Sequence, residues 1–317
     1  MASEFDLIAR FFSRPAPGAV LGVGDDAALM GLSPGMELAV STDMLVAGRH
    51  FLPQTDPRLL GHKALAVNLS DLAAMGATPR WATLALALPE ADEAWLEAFS
   101  RGFFALAGRH GVDLVGGDTT RGPLNLCVTI LGEVPRGRAL RRSVALAGDD
   151  IWVSGSLGGA SLGLRHLLGD IRLREPEDSD CLARLHAPEP RVALGQALLG
   201  LAHAAIDISD GLMADLGHIL ERTGLGAEVA LTRLPAHPAV ASRLDTPLAR
   251  QCLLAGGDDY ELCFTAAAER ASAVLAAGEA AGVALTRVGR ITRTPGLRVL
   301  ANGQVMQLEM RGYDHFA

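Results

Sequence analysis

Apolar residues come along this chain in short blocks, and several of the blocks stop on aspartate. Leu38, Ala39 and Val40 form a β-type run that ends on Ser41, Thr42 and Asp43. A run this short reads as a buried strand, with the polar triplet at its carboxyl end on the rim of a sheet, where open α/β sheets bind ligands. The figure recurs at 22–26, ending on Asp25 and Asp26, at 114–118, ending on Asp118, and at 205–210, which carries Asp207 and Asp210.

Helical patterns lie between these blocks. Residues 5–12 predict a short amphipathic helix before a Pro/Gly-rich link. Asp56-Pro57 is a cap followed by proline at the first helical position, and it opens a helix over 57–75. Leu59, Leu60, Leu65, Val67, Leu69, Leu72 and Met75 surround that helix with apolar groups, so it is buried on most sides. Asn68 and Asp71, three apart, share one face and need partners there. Strands are predicted over 81–88, 112–115 and 124–133, with a helix over 92–110 closed by Gly111. The first domain then covers 1–136 and the second 137–317, after a basic link at 136–143.

In the second domain, 148–160 reads as a strand, a glycine-rich turn able to accept an anion, and an apolar helix. A polar excursion over 173–180 precedes helices over 191–202 and 212–221. A strand over 261–265 and a helix over 266–281 follow, and Asn302-Gly303 signals a closing hairpin. The fold class is therefore α/β (α+β) in two domains.

Composition narrows the choices. With 317 residues, 49% of them hydrophobic and 20% charged, the chain is ordinary globular material with room for two cores. A net charge of −8 leaves no basic stripe for nucleic acid. Lys63 is the only lysine among 28 basic side chains, and no G-x-x-x-x-G-K-[ST] occurs, which excludes a P-loop. Cys127, Cys181, Cys252 and Cys263 lack zinc or redox spacing and read as buried thiols in a reducing cytoplasm. The amino terminus is acidic and no apolar stretch reaches spanning length, so neither export nor a membrane is expected.

The chemistry lies in the acidic set. Asp26, Asp43, Asp71, Asp118, Asp207 and Asp210 sit at predicted element ends or on a buried helix face. Two such carboxylates within about 5 Å repel by roughly 3 kcal/mol at an effective dielectric near 20. Divalent cations relieve that repulsion, and an all-oxygen set joined by Ser41 and Thr42 selects hard ions such as Mg²⁺ over zinc. Taken singly, each Asp is more simply a cap or turn former. As a set they point to metal ions and a phosphate-bearing guest.

The chain also resembles the thiamine-monophosphate kinase family, within the superfamily of aminoimidazole ribonucleotide synthetase and selenophosphate synthetase. The resemblance rests on Gly22-Val-Gly-Asp-Asp26, Ser41-Thr-Asp-Met-Leu-Val-Ala-Gly-Arg-His50, Lys63-Ala-Leu-Ala-Val-Asn-Leu-Ser-Asp71 and Gly116-Gly-Asp118-Thr-Thr. In the second half it rests on Ile206-Asp-Ile-Ser-Asp210-Gly-Leu, Gly256-Gly-Asp258-Asp-Tyr-Glu-Leu and Gly312-Tyr313-Asp-His-Phe. It implies ATP-dependent phosphorylation of thiamine monophosphate to thiamine diphosphate, assisted by several Mg²⁺ ions. It places metal at Asp26, Ser41, Thr42, Asp43, Asp71, Asp118, Asp207 and Asp210, with Asp43, Asp71, Asp118 and Asp210 at the catalytic centre. ATP falls to Gly117, Asp118, Arg142 and Ser209, and the thiamine end to His50, Asp258 and Tyr313. It further implies a two-domain synthetase-like fold and a homodimer whose amino-terminal sheets pair. One departure is Asp258, where the family pattern more often has Glu. Selenophosphate synthetase is disfavoured because no Cys precedes Cys127. Aminoimidazole ribonucleotide synthetase and a non-catalytic cation-binding protein stay open as alternatives.

Overall fold

The computed structural model describes residues 3–306. The chain divides into two compact units, one of Met1–Leu72 with Ala77–Gly137 and one of Ala73–Gly76 with Arg138–Ala317.

In the first unit, α1 (Glu4–Leu7) runs on as a π-turn, Ile8–Phe12, and is followed by β1 (Met36–Val46), α2 (Pro57–Ala74), β2 (Thr78–Leu88), α3 (Glu93–His110), β3 (Asp113–Arg121) and β4 (Asn125–Pro135). The strands form a sheet in the order β1-β4-β2-β3, with β2 and β3 parallel across the α3 crossover and the other pairs antiparallel. Asp92 caps α3 through the amides of Ala94 and Trp95, and Gly111 ends it in the left-handed conformation, as the sequence predicts. The Asp56 carboxylate accepts the Arg58 amide at 2.7 Å at the start of α2.

The two long strands differ from their predicted form. β1 does not stop at Asp43 but pairs with β4 over its whole length, from Met36 opposite Pro135 to Val46 opposite Asn125. β3 likewise runs through Asp118 to Arg121. Ser41, Thr42, Asp43 and Asp118 are thus interior to strands rather than at their tips, because an edge strand tolerates polar residues where one face is not packed. Asp25 and Asp26 lie in an exposed loop of isolated bridges, not at a strand end.

Side chains alternate along β1, so Ser41, Asp43 and Leu45 face α2 while Leu38, Val40, Thr42 and Met44 face away. Leu38, Val40 and Met44 are 45%, 55% and 56% exposed. This apolar row is therefore uncovered within the chain. On the covered side, α2 and α3 cross through Gly61 and Gly102. A methyl on Gly61 would overlap the Phe99 carbonyl, and one on Gly102 the Arg58 carbonyl.

In the second unit the elements are β5 (Asp150–Ser154), α4 (Gly159–Leu168), α5 (Glu177–His186), α6 (Val192–Ala197), β6 (Ala204–Ile208), α7 (Leu212–Thr223), β7 (Gly226–Ala230), α8 (Pro238–Ala241), α9 (Pro247–Ala255), β8 (Glu261–Ala266), α10 (Ala271–Ala280), β9 (Leu285–Thr292), β10 (Gly296–Ala301) and β11 (Gln304–Val305). The described strands form a mixed sheet in the order β11-β10-β7-β9-β5-β8-β6. Ile151, Val153, Ile206, Ile208, Leu216, Ile219 and Leu254 are among its buried core. The hairpin at Asn302-Gly303 is present, both residues having positive φ.

The polar excursion contains helix α5, whose acidic first turn and basic last turn complement the helix dipole while Cys181 and Leu185 pack inward. The helix predicted over 191–202 is only Val192–Ala197, and the one over 266–281 begins at Ala271 after a 3₁₀ turn.

Gly61→Ala or Gly102→Ala should force α2 and α3 apart and lower stability by about 1–3 kcal/mol. Thermal unfolding should then begin several degrees lower, and an unchanged midpoint would show that the crossing has slack.

Candidate active site

In the first unit the predicted residues form two groups. Ser41 on β1 donates its hydroxyl to Asp71 Oδ2 of α2 at 2.5 Å, and the Asp43 amide donates to Asn68 Oδ1 at 3.3 Å. Asn68, fully buried, also donates from Nδ2 to the Ala64 carbonyl at 3.0 Å. The i, i+3 pair on α2 is therefore what meets the inward face of β1, and Ser41, Asp43, Asn68 and Asp71 make one oxygen-rich patch. His50 follows in the turn after β1, where its Nδ1 accepts the Val46 amide at 3.0 Å. That bond fixes the neutral tautomer, with the proton on Nε2.

Thr42 and Asp118 belong to the other face. Thr42 Oγ1 meets Thr129 Oγ1 at 2.9 Å on the uncovered side. Asp43 lies in the cross-strand row Asp43, Val128, Leu84, Gly117, and Asp118 in the next row, Met44, Cys127, Ala85, Asp118. Three strand spacings, about 14 Å, separate Asp43 from Asp118. Adjacent rows also project to opposite faces. One chain therefore does not bring Asp118 and Thr42 to the Asp43–Asp71 patch. Gly117, at φ 151°, lets β3 pass so close to β2 that a methyl would overlap the Leu84 carbonyl. Asp25 and Asp26 are exposed, with the Asp26 amide donating to Asp25 Oδ1 at 2.9 Å.

In the second unit Asp207 is buried within β6, and Ser209 and Asp210 follow its end. Both of their amides donate to Asp215 Oδ2, each at 3.1 Å. Asp215 is the residue that the sequence reading missed. It lies in the first turn of α7, 3% exposed, and burial together with the Asp207 and Asp210 carboxylates pushes its carboxyl up to about 8. Its signal was an acid on the inward face of an otherwise apolar helix start, five residues after Asp210.

The loop 256–260 crosses this turn, and the Asp258 amide donates to the Ser209 carbonyl at 2.9 Å, which sets Asp258 beside Ser209. Asp259 points the other way and accepts the Gly158 amide at 2.8 Å and the Ala160 amide at the start of α4. Burial drives its carboxyl well above the ordinary carboxylate value. The glycine-rich turn thus receives an internal acid where the sequence allowed an external anion. Arg142 is exposed in a turn, and Tyr313 lies outside the described residues. No group of three or more His, Cys, Asp or Glu among the described residues is spaced to hold one metal ion. No helix among them is long and apolar enough to cross a membrane.

Another cluster resembles a nucleophilic triad. Cys181 Sγ lies 3.8 Å from His237 Nδ1, and His237 Nε2 lies 3.0 Å from Asp180 Oδ2. Burial, with the Asp180 and Glu177 carboxylates, pushes the thiol up to about 12, the reverse of what a nucleophile needs. His237 Nδ1 instead accepts the Ala239 amide at 3.3 Å and caps α8. Burial holds its imidazole below the ordinary histidine value, against the pull of Asp180.

A sheet of this order with acidic residues facing a helix, and a second unit with an acidic turn at a strand end, matches a known two-part architecture. Residues 24–134 match the family model for AIR synthase related protein, N-terminal domain, and residues 147–302 match that for the C-terminal domain. The thiamine-monophosphate kinase of Escherichia coli is 48% identical over 99% of this chain and 98% of its own length. The crystal structure of thiamine-monophosphate kinase from Stenotrophomonas maltophilia is 50% identical, with TM-score 0.85 over 92% of this chain and 94% of that one. A further structure, AaThiL complexed with AMPPCP and TMP, is 31% identical, with TM-score 0.79 over 93% and 92%. The class is that of the two-domain AIR synthase related proteins. Within it, the chain belongs to the thiamine-monophosphate kinase family and is a kinase.

Two outcomes follow from this geometry. Asp215→Ala leaves two part-buried amides without their acceptor and should cost about 1–3 kcal/mol in urea unfolding, while Asp215→Asn recovers much of that loss. A wild-type midpoint for the Ala variant would show that other groups hold the turn. For His237, the folded chain resists a proton that the unfolded chain accepts near pH 6.5, so its stabilisation is whole above that pH and fades as pH falls through the lowered folded value. Melting temperature should therefore drop between about pH 7 and pH 5, and His237→Asn should flatten the drop. Equal slopes for the two proteins would remove His237 from the account.

Proposed function

We propose that the protein transfers the terminal phosphoryl group of ATP to thiamine monophosphate, giving thiamine diphosphate, by direct in-line displacement with several Mg²⁺ ions present. The observation that carries the reading is the Ser41–Asp43–Asn68–Asp71 patch of oxygen donors, in a chain 48% identical to a thiamine-monophosphate kinase along nearly its whole length. AaThiL complexed with AMPPCP and TMP supports the substrate pair. Free thiols, buried at Cys181, Cys252 and Cys263 and half-buried at Cys127, suit a cytoplasmic enzyme.

The donor set fits magnesium. It is all oxygen, and in the second unit burial together with the Asp207 and Asp210 carboxylates raises the Asp215 carboxyl. Asp26, Ser41, Thr42, Asp43, Asp71, Asp118, Asp207 and Asp210 would hold the ions, which when bound offset the mutual repulsion of two phosphate compounds. The rest of the work belongs to the chain. Gly117, Asp118, Arg142 and Ser209 position the nucleotide, Arg142 as its main protein cation. His50 donates from Nε2–H, and Asp258 offers a carboxylate to the cationic thiamine end, where Tyr313 supplies an aromatic face. The acceptor phosphate monoester is already mostly dianionic at neutral pH, with a second pKa near 6, so no general base is assigned.

The two regions also serve as domains, 1–136 for magnesium, ATP and dimerisation and 137–317 completing the nucleotide and substrate site. The uncovered row Leu38, Val40 and Met44 is the dimer face, and it carries Thr42 and Asp118 toward a second copy of the chain. Those two residues thus act in a site that the second copy completes.

Turnover of ATP, Mg²⁺ and thiamine monophosphate to thiamine diphosphate is the test. Asp43→Asn should lower it by roughly a hundredfold or more with the melting temperature kept. Absence of product from the wild-type protein would refute the assignment. Val40→Asp should give a monomer by light scattering and lose turnover with it. A fully active monomer would contradict the shared site.

A further inference from the structure

The loop between α9 and β8 stores backbone strain in two adjacent-but-one residues. Among the described residues only Asp258 at φ 69°, Tyr260 at φ 50° and the hairpin residue Asn302 have positive φ without being glycine. A non-glycine side chain resists that conformation, so two within three positions persist only where the surroundings over-determine them, which is characteristic of functional sites.

The surroundings do so from three sides. The amides of Asp258 and Tyr260 donate to the carbonyls of Ser209 and Ile208 at 2.9 and 2.8 Å, which ties the loop to the end of β6. Asp259 between them is half-buried, with its carboxylate on the first amides of α4. Gly257 lies so near the Ser209 carbonyl that a methyl there would come within 2.5 Å of it. The strained backbone turns Asp258 and Tyr260 to the same side, and the Tyr260 hydroxyl donates to Asp258 Oδ1 at 3.1 Å. The tyrosine ring is 9% exposed and therefore held, whereas Asp258 is half-buried at the surface of the loop.

We infer that Tyr260 is a positioning residue for substrate recognition, its phenol fixing the plane of the Asp258 carboxylate toward a cationic, nitrogen-bearing ring. This rests on the reading of Asp258 as a contact to thiamine monophosphate. A carboxylate oxygen held by a buried donor is set in advance, which lowers the ordering entropy lost on binding. The strain in the loop is the cost of turning both side chains the same way. The alternative, a buried hydroxyl merely finding an acceptor, predicts no effect on the substrate.

The experiment compares wild type, Tyr260→Phe, Asp258→Asn and the double variant under steady-state conditions, with folding checked by circular dichroism. Tyr260→Phe should raise KM for thiamine monophosphate about tenfold, the size expected for one oriented hydrogen bond to a charged group, and leave kcat and KM for ATP within about twofold. Asp258→Asn should raise the same KM, and the double variant should be little worse than the worse single one, because the two act as one unit. A full additive loss, an unchanged KM for thiamine monophosphate in Tyr260→Phe, or equal rises for both substrates overturns the inference. If Asp258→Asn is itself silent, the substrate contact falls and the inference with it. If Asp258→Asn is affected and Tyr260→Phe is not, only the role of Tyr260 falls.

A second readout needs no substitution at Tyr260. The chain has two tyrosines, Tyr260 and Tyr313, so fluorotyrosine labelling gives two ¹⁹F signals that Tyr313→Phe assigns. The Tyr260 signal should shift on adding thiamine monophosphate and not on adding ATP alone. A signal unmoved at saturating thiamine monophosphate overturns the inference.

Discussion

Like charges held close together are the constraint on which this structure depends. The chain sets carboxylates close to one another and gives some of them uncharged hydrogen-bond donors. Asp71 takes the Ser41 hydroxyl, and Asp215 takes two backbone amides. Burial, with the Asp207 and Asp210 carboxylates adding to it, still raises the Asp215 carboxyl against the pull of those two amides. Elsewhere the molecule pairs its acids with arginine. Glu261 is bound by Arg191 through Nε at 2.7 Å and Nη2 at 2.5 Å, and Glu133 by Arg80 at 2.9 Å.

The two units reach this condition by different means. In the first, a long helix lays its polar i, i+3 pair against an edge strand, and a glycine crossing with α3 fixes how closely that helix is packed. In the second, a strand ends in an acidic turn that is clamped by a helix behind it and a strained loop beside it. Both are short-range arrangements of rigid elements, which is how a site keeps its charges in place before the ligand arrives.

Much of this was legible in the sequence. The Asp56-Pro57 start, the apolar girth of α2 and the facing of Asn68 and Asp71 follow from periodicity and capping, and so do α3 and the final hairpin. The strand ends were not legible, because Ser and Asp look like terminators in a sequence, yet tertiary context overrides that preference when a full-length partner such as β4 lies alongside. The separation of Asp118 from Asp43 depends on strand order, which local pattern does not encode. Asp215 was hidden for a similar reason. Its partners are backbone amides, and amides leave no mark in a sequence.

The account depends on the acidic set being a divalent-cation site that works together with nucleotide. Calorimetric titration of Mg²⁺ into the protein, alone and with AMPPCP present, measures that coupling directly. It predicts Mg²⁺ affinity at least about tenfold higher with the nucleotide analogue, a coupling of about 1.4 kcal/mol or more, and a loss of that gain in Asp43→Asn. Identical Mg²⁺ binding with and without AMPPCP would contradict it and leave a protein that holds cations for their own sake.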